Sequence, residues 1–493
     1  MQEREIKFDT PGTELTESGL DAAVAAVDGV RIERVDTRVL TAHYYDTDDL
    51  RLARWGCSMR HRDDEGWTVK LPVAKSGSEV TRDEVHIDSD LAGGGDHPPE
   101  EAVRLVDSFV RGGQVRHVAT LVTHRRALVL SSNGASLGEL TDDRVRVDRS
   151  TSSGSDAGSD EFHELELEFA APTDDEASGL IEALESLGCV PSAHSSKVAR
   201  ALGPRAEDPP DVVVPSLDHR PDAASVVRYA LSTSVRQLLL QLPVVHLGDD
   251  PEGVHQARVA LRRMRSDLKT FRPLLDRAWA NDLRRRAKWL ADRLGDVRDD
   301  DVHLEMLEEA DAPAALVEVV RQEREAHRAA LLDALDEPRT RELLQALVAA
   351  ATDPVLVGAV DEPAAEVMTP LVAKRWKRLR KSVRSLPDAP TTAELHQVRI
   401  ITKRCRYAAM ASAPALPDEA VGFAKRLGKL QDALGAIHDN ELLADRLREL
   451  AGYLAPPDAF ETGRVAGRLH AHAEAARAEW PRLWRAAKKA SPL

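Results

Sequence analysis

The first segment of the chain, MQEREIKF, alternates acidic and basic side chains with other residues. Glu3, Glu5 and Lys7 occupy every second position, and in a β-strand such residues project from the same face. Two acids beside a base could hold a hard cation and a phosphate group together, because carboxylates ligate Mg²⁺ and an ammonium group donates to phosphate oxygens. A wet, charged strand face has the same pattern, so one strand leaves both interpretations open.

The same arrangement recurs in other short segments, and the signs of the charges segregate. Two arginines share a face in CSMRHR, Thr68 and Lys70 share a face in GWTVK, and HELELEF has a wholly acidic face. A closed barrel would bring these faces together inside, where unpaired charges are costly, so we expect a ligand that pairs with both signs. A phosphate chain with a divalent cation fits. The residues concerned are Arg60, Arg62, Lys70, Glu164, Glu166 and Glu168.

Residues 1–202 resemble the CYTH domain, also called the triphosphate tunnel metalloenzymes. The resemblance rests on E-x-E-x-K at Glu3, on YYDT at 44–47, on R-x-R at Arg60, on T-x-R at 123–125, on ELELE at 164–168 and on SKVARAL with Lys197. It implies an eight-stranded antiparallel tunnel that binds triphosphate-containing substrates with one or two Mg²⁺ or Mn²⁺ ions.

The resemblance also implies roles for individual residues. Lys7 would contact phosphate or help to activate water, and Lys7 and Glu5 are the predicted catalytic residues. Arg126 competes with Arg125 for its assignment, and Asp142 competes with Asp143; any one of these residues could instead form a surface salt bridge. The implied metal ligands are Glu3, Glu5, Glu164 and Glu166, assisted by Asp143 or Glu168. The implied triphosphate ligands are Lys7, Arg60, Arg62, Lys70, Arg125 and Lys197.

The elements that follow are of a different kind. The segment 203–222 is rich in proline and acidic residues, which predicts a linker, and beyond it the periodicity is helical to about residue 490. This half repeats itself: HQARVALRRMR begins at His255 and HQVRIITKRCR at His396, 141 residues later. RRAKWLADRLGDVRD and KRLGKLQDALGAIHD recur at an offset of 140. We therefore predict two similar helical bundles related by a pseudo-twofold axis.

Each repeat carries a basic stripe with helical spacing. Neighbouring like charges destabilise a helix, and this cost is understandable if a polyanion neutralises the row. The alternatives are a solvated helix face and, for the two histidines, a helix-terminal or buried structural role. The predicted anion-binding residues are His255, Arg258, Arg262, Arg263, Arg265 and Lys269, then His396, Arg399, Lys403, Arg404 and Arg406.

Residues 223–490 resemble the CHAD domain, the conserved-histidine α-helical domain. The H-x-x-R-x-x-x-[RK]-R-x-R element, present twice, carries the resemblance. It implies two four-helix bundles facing one another around a positive surface that binds inorganic polyphosphate. Asp299 and Asp439 in the second repeated element are expected to hold basic residues in place. The counterparts of Lys269 and Arg272 are uncharged, so the second stripe is shorter.

Composition limits the remaining possibilities. The 493 residues carry a net charge of −16, with 4% aromatics, which argues against membrane surfaces and nucleic acid as partners. The three cysteines are far apart in sequence, which argues against a disulfide framework or a zinc site. With no signal peptide or membrane-spanning run recognised, we expect a cytoplasmic protein, associated with polyphosphate granules.

The sequence thus predicts a two-domain α+β protein, with a tunnel domain at 1–202, a linker at 203–222 and a helical domain at 223–490. The leading hypothesis is a metal-dependent inorganic triphosphatase, a hydrolase that uses Mg²⁺ or Mn²⁺ and whose second domain binds polyphosphate. The alternatives are a thiamine or nucleoside triphosphatase, an adenylate cyclase, and a polyphosphate-binding protein without catalysis.

Overall fold

The computed structural model describes residues 4–10, 15–72, 82–87, 97–132, 134–149, 160–170, 174–194, 196–248, 250–416 and 419–491. The chain forms two compact units, Met1–Pro210 and Asp211–Leu493. This division lies within the Pro-rich segment 203–222, whose ends stay a prediction. The first unit is α+β and the second is all-α, so the predicted fold class is confirmed.

The first unit is built on one antiparallel sheet in the order β5-β4-β3-β2-β6-β7-β8-β1-β9. Its strands are β1 Arg4–Asp9, β2 Val30–Asp46, β3 Ser58–Arg62, β4 Gly66–Pro72, β5 Arg82–Ile87, β6 Arg116–Ser132, β7 Ala135–Arg149, β8 Asp160–Phe169 and β9 Val190–Pro191. Its helices are α1 Glu17–Ala25, α2 Arg51–Arg54, α3 Glu100–Val110, α4 Asp174–Ser186 and α5 Lys197–Leu202.

The described sheet has nine strands where eight were predicted. The additional strand, β9, has only two residues and pairs with Phe8 and Asp9 of β1. It is too short for any alternating pattern to indicate it, because a period of two needs several residues to become visible.

Alternation along the strands gives the sheet an apolar face. Phe8 of β1, Leu140 of β7 and Leu165 and Leu167 of β8 are buried in one cluster with side chains from α1 and α4. The residues between them point to the opposite face, so the packing of this core fixes the direction of the charged side chains.

The loop after β2 is held by a buried carboxylate. Asp46 accepts hydrogen bonds from the backbone N–H groups of Thr47, Leu52 and Ala53, with donor–acceptor distances of 2.6, 2.9 and 3.0 Å. The amides of Leu52 and Ala53 lie in the first turn of the short helix α2, where backbone donors have no partner within the helix. The acid of the YYDT motif therefore has a structural role here.

The second unit is helical in two matching halves. Its helices are α6 Ala223–Leu247, α7 Pro251–Thr270, α8 Arg277–Glu309, α9 Ala314–Asp336, α10 Pro338–Thr352, α11 Ala364–Arg384, α12 Thr392–Ser412, α13 Glu419–Ala451 and α14 Pro456–Lys489. Helices α6 to α9 begin 141 or 142 residues before α11 to α14. One difference between the halves is that Pro338 begins a new helix, whereas α14 continues through Pro481.

The helices of the second half share a buried apolar core. In the second half, Trp376 of α11 packs edge-on against Phe423 of α13 and also contacts Trp484 of α14. Helices α7 and α12, which carry the two basic stripes, pack against each other across the halves. Among the described helices of the chain, none is both long and apolar enough to span a membrane.

Candidate functional site

Strand register brings the charged residues of the first unit onto one face of the sheet. Arg125 of β6 lies opposite Asp143 of β7, which lies opposite Glu164 of β8. Lys7 of β1 lies opposite Glu166 of β8, and Lys70 of β4 lies opposite Glu84 of β5. We call this surface the polar face. It is the side opposite the apolar core of Phe8 and Leu165, because side chains alternate along each strand.

At the centre of the polar face lie three buried carboxylates, Asp143, Glu164 and Glu166, which we call the acid cluster. Their residues are 0%, 2% and 5% exposed. Burial of three acids requires compensation by cations, and two side chains provide much of it here. Lys197 Nζ lies 3.0 Å from Asp143 Oδ2 and 2.9 Å from Glu164 Oε1, and it also contacts Glu166.

Arg125 adds a second, directional interaction. Its Nε and Nη2 donate to the two oxygens of Asp143 at 2.9 and 2.6 Å, and Nη2 also lies 3.3 Å from Glu166 Oε2. This fork geometry is typical of arginine with a carboxylate. Lys7 donates to Glu166 Oε1 from the neighbouring strand. The three cations that the sequence assigned to phosphate therefore contact the acids that it assigned to metal.

Helix α5 delivers Lys197 to this face. Ser196 caps the helix by accepting from the N–H of Ala199. Val198 and Ala201 are buried against Tyr44 and Leu121 of the sheet. The first residue of the helix is thereby held over the acid cluster.

The charges of the cluster reinforce one another. Burial by itself would raise the pKa of Glu166, but Lys197 and Lys7 outweigh it and hold this pKa well below its ordinary value. Burial would likewise lower the pKa of Lys197, and Glu166, Asp143 and Glu164 together raise it instead. Glu166 is therefore ionised and Lys197 is charged near neutral pH.

The structure separates the two pairs that the sequence left open. Arg126 turns away from the polar face, and its Nη2 lies 2.8 and 2.6 Å from the two carboxylate oxygens of Asp21 of α1. Asp142 bonds to His163. Arg125 and Asp143 are the members of these pairs that belong to the acid cluster.

A second group of charges surrounds the outer strands of the polar face. Arg60 Nη2 lies 3.1 Å from Glu84 and 3.2 Å from Glu65, and Lys70 lies 2.8 Å from Glu84. Arg62 pairs with Asp64 at 2.6 Å and with Glu65 at 2.8 Å. The predicted basic ligands Arg60 and Lys70 thus share an acid here rather than joining the acid cluster.

This group contains a possible cation-binding arrangement that sequence reasoning missed. Ligand atoms of Glu65, Glu84 and His86 all lie within 4.8 Å of one another, and the three residues are exposed. The sequence signal was weak because Glu65 lies in a turn and has no strand register. The adjacent Arg60 and Lys70 already balance the acids.

The remaining predicted metal ligands are Glu3, Glu5 and Glu168, and of these only Glu168 has a described side chain. Glu3 is outside the described residues. Glu5 lies opposite Glu168 in the pairing of β1 with β8, but its side chain is outside the described part. Glu168 is half-buried. Burial would lower the pKa of Arg125, but Asp143, Glu166 and, to a smaller extent, Glu168 together raise it.

The acid cluster has the donor chemistry that a hard divalent cation requires. Its ligands are carboxylate oxygens, which Mg²⁺ and Mn²⁺ prefer. Glu164 Oε1 is buried and accepts no hydrogen bond from the described residues, although Lys197 Nζ is near it. A buried oxygen of this kind has a lone pair to offer. Asp143, Glu164 and Glu166 would therefore hold the ion.

In the second unit, the basic stripes of the two halves form one positive centre. Lys403 of α12 lies in the field of Arg262, Arg258 and Arg265 of α7 and of Arg399 of its own helix. Arg262 crosses between the halves, since its Nε donates to the hydroxyl of Tyr407 at 2.5 Å. We call this group the cationic centre. Tyr407 was not predicted, and no spacing in the sequence marks it.

The two halves also use matching ion pairs to hold the arginines of the cationic centre. Arg258 lies 3.0 Å from Asp299, and Arg399 lies 3.6 Å from Asp439, so each aspartate pairs with an arginine of a basic stripe. A glycine of the facing helix leaves room for each arginine. A Cβ on Gly435 would come 3.1 Å from Arg399 Nε, and one on Gly295 would come 3.6 Å from Arg258 Nη2.

The remaining members of the stripes fall at the edges of the centre. Lys269 lies near Arg404, Arg284, Arg375 and Arg378, so the basic residues flanking the stripes take part. Arg406 Nη1 lies 3.5 Å from Gln431 Oε1. Burial raises the pKa of Asp267, and Arg263 lies close enough to this acid to lower its pKa by a smaller amount.

The charges of the cationic centre are only partly balanced by acids, in contrast to those of the acid cluster. Burial and then the neighbouring arginines lower the pKa of Lys403 to about 7 and that of Lys269 to about 8. Burial also lowers the pKa of His255, with Arg298 assisting, and that of His396, with His438 assisting.

Several donors in this region also lack a partner. Arg265 Nε and Arg399 Nε are buried and donate no hydrogen bond to the described residues, and His396 Nδ1 likewise has no hydrogen-bond partner among them. Such donors are costly to leave unpaired. The cationic centre is therefore suited to a ligand that brings several acceptor oxygens and several negative charges.

Comparison with known families agrees with the two units. The family model described as the CYTH domain matches residues 1–202, and the one described as the CHAD domain matches residues 229–448. The uncharacterized protein Rv2226 of Mycobacterium tuberculosis (strain ATCC 25618 / H37Rv) is 31% identical over 468 residues, which cover 88% of this chain and 86% of that protein.

Two solved structures are similar to part of the chain. PptA from Streptomyces chartreusis is 22% identical, with a TM-score of 0.46, and covers 54% of this chain and 99% of its own. The CHAD domain from the plant Ricinus communis is 28% identical, with a TM-score of 0.46, and covers 56% of this chain and 94% of its own.

Proposed function

The chain belongs to the proteins in which a CYTH domain is followed by a CHAD domain, and from this premise we propose that it is a metal-dependent inorganic triphosphatase. Its first unit would hydrolyse tripolyphosphate to pyrophosphate and phosphate, and its second unit would bind polyphosphate. Mg²⁺ or Mn²⁺ would be the cofactor.

The observation that carries this proposal is the pairing of acids with cations on the polar face. Lys7, Arg125 and Lys197 all contact Asp143, Glu164 or Glu166. A clamp for anions alone would need the cations but not three buried acids, which are costly to desolvate. The presence of the three buried acids is explained if they bind a divalent ion beside the phosphate.

The chemistry divides between the two charge types. A bound divalent ion would polarise a phosphoryl oxygen and lower the pKa of a water molecule. The cations of the chain would turn from the carboxylates to the phosphate oxygens and hold the chain in line for attack, because phosphoryl transfer depends mainly on positioning and charge. Lys7, next to Glu166, is placed to contact the phosphate or to orient the attacking water.

The cationic centre supports the second half of the proposal. Its arginines and lysines come from both halves, and several of its buried donors have no acceptor among the described residues. A linear polyphosphate offers a row of such acceptors with repeated negative charge, which arginine recognises through bidentate contacts. Inorganic triphosphate is favoured as the substrate of the first unit because both units would then recognise the same class of anion.

The test measures phosphate release from tripolyphosphate, thiamine triphosphate, ATP and long-chain polyphosphate, each with Mg²⁺, Mn²⁺ or EDTA. We expect metal-dependent release, fastest from tripolyphosphate. Glu166→Gln should lower the rate at least a hundredfold. The matched control is Glu161→Gln, which removes an exposed acid from the opposite face of the same strand and should leave the rate unchanged.

Each outcome selects among the candidate functions. Release that is fastest from thiamine triphosphate or ATP would replace the inorganic substrate with an organic one. If no substrate releases phosphate with either metal while polyphosphate is retained, the protein is a binding protein and the enzyme proposal fails. The charge swap of Arg258 and Arg399 to Glu should abolish retention of polyphosphate, and unchanged retention would contradict the role of the cationic centre.

A further inference from the structure

Lys197 occupies the position in the acid cluster that a metal ion would have to share. One ammonium group reaches Asp143, Glu164 and Glu166 together, at 3.0 Å from the first, 2.9 Å from the second and in contact with the third. No other cation among the described residues contacts all three acids of this cluster. The side chain of Lys197 is only 14% exposed, so these ion pairs are shielded from bulk water.

The helix that carries Lys197 is seated firmly enough to keep the lysine there. Val198 and Ala201 of α5 are buried against the sheet, and Arg200 of the same helix lies 2.7 Å from Asp9 and 3.6 Å from Glu164. The helix therefore brings two positive charges towards the cluster. A divalent ion that binds the same carboxylates meets repulsion from both.

We propose that Lys197 is an internal counter-ion that competes with the metal, so that the acid cluster binds a divalent ion tightly only when a phosphate chain draws Lys197 away from it. This inference rests on the proposed metal binding at the cluster. It makes metal and triphosphate mutually dependent ligands, since each favours the arrangement that the other needs.

The consequence is a site that resists metal ions when substrate is absent. Lys197 can satisfy either the carboxylates or a phosphate oxygen with its three N–H donors, but binding a phosphate takes it away from some of the acids. The freed carboxylate oxygens then face the metal with less competing charge. Binding of triphosphate would thereby raise the affinity for Mg²⁺ or Mn²⁺.

The test is a titration with Mn²⁺ alone, with free Mn²⁺ measured by electron paramagnetic resonance and with no phosphate compound present. Lys197→Gln should bind Mn²⁺ at least tenfold more tightly than the unaltered protein, because it removes a charge in direct contact with the ligands. Lys197→Arg keeps the charge and should bind Mn²⁺ as weakly as the unaltered protein does. Arg126→Gln removes a charge from the same sheet but outside the cluster, so it should change nothing.

A second variant guards against misfolding of Lys197→Gln. Val198→Ala keeps every charge but loosens α5 from the sheet, and it should tighten Mn²⁺ binding several-fold. The rise in melting temperature that Mn²⁺ produces should be larger in both variants than in the unaltered protein. Equal Mn²⁺ affinity in the unaltered protein, Lys197→Gln and Val198→Ala would overturn the inference.

This outcome is distinct from a failure of the proposed function, because the Mn²⁺ affinity and the release of phosphate are measured in separate experiments. Tighter Mn²⁺ binding in Lys197→Gln together with an absence of phosphate release would keep the competition and refute the triphosphatase. Phosphate release with an unchanged Mn²⁺ affinity in both variants would refute the competition and keep the triphosphatase.

Discussion

Replacing Lys403 by methionine should stabilise the helical unit when no polyphosphate is bound. Lys403 is half-buried among Arg262, Arg399 and Arg258, and burial followed by these charges lowers its pKa from 10.5 to about 7. A shift of this size corresponds to a cost of about 5 kcal/mol for carrying the proton in the folded state. Methionine has a similar length and no charge, so it removes this cost.

The stabilisation by Lys403→Met should depend on pH. The folded pKa lies below the unfolded one, so between pH 7 and pH 10.5 only the unfolded chain binds the proton, and the free energy of unfolding rises with pH by about 1.4 kcal/mol per unit. Below pH 7 both states bind the proton and the full cost remains. The gain from Lys403→Met should therefore fall from about 5 kcal/mol at pH 6 to about 2 kcal/mol at pH 9.

The assay is denaturant unfolding at pH 6, 7, 8 and 9, followed by tryptophan fluorescence. Five of the seven tryptophans, at positions 279, 289, 376, 480 and 484, lie in the helical unit, so the signal reports mainly on it. Lys377→Met is the matched control, because Lys377 is exposed on α11. A variant Lys403→Met that is no more stable than the unaltered protein at pH 6, or whose advantage does not decline with pH, would refute the reasoning.

Three further outcomes are expected. Asp46→Ala leaves three backbone N–H groups without their acceptor and should lower the free energy of unfolding of the first unit by at least about 2 kcal/mol, measured by denaturant unfolding; a smaller loss would show that water replaces the carboxylate. Gly435→Ala should weaken polyphosphate binding several-fold in isothermal titration, because its Cβ would crowd Arg399, whereas Gly295→Ala has ordinary contact distances and should have little effect; equal effects would contradict this geometry. Arg125→Gln should raise the KM for triphosphate at least tenfold in the phosphate-release assay while Arg126→Gln leaves it unchanged, and the reverse order would exchange the two assignments.

Much of this architecture could be predicted because the period of two of the strands and the 3.6-residue period of the helices are both visible in single segments. The period of two placed Glu164 and Glu166 on one strand face, and the offset of 141 residues between His255 and His396 predicted two matching helical halves. The structure confirms the fold class and adds a ninth strand. The short β9 could not be foreseen, because two residues carry no pattern.

What the sequence could not provide was the choice between adjacent residues and the contacts between distant ones. Arg125 and Arg126 are adjacent residues of the same type. The contact of Arg126 with Asp21 of α1 decides that Arg125 is the one that faces the acids. Tyr407 joins the cationic centre because α7 and α12 pack against each other. Such contacts depend on tertiary packing, which no local spacing encodes.

The two units meet the same problem, a concentration of charge, in opposite ways. In the first unit, opposite charges neutralise each other, so Glu166 stays ionised and Lys197 stays charged. Binding there must be an exchange, in which cations of the chain leave carboxylates for phosphate oxygens. In the second unit the cations face one another and the cost appears as the lowered pKa of Lys403. Binding there is an addition, in which the anion relieves existing repulsion and Lys403 takes up a proton. At pH 8, titration of polyphosphate in buffers of different ionisation enthalpy should therefore show proton uptake by the unaltered protein and less uptake by Lys403→Met; equal uptake would place the protonation elsewhere.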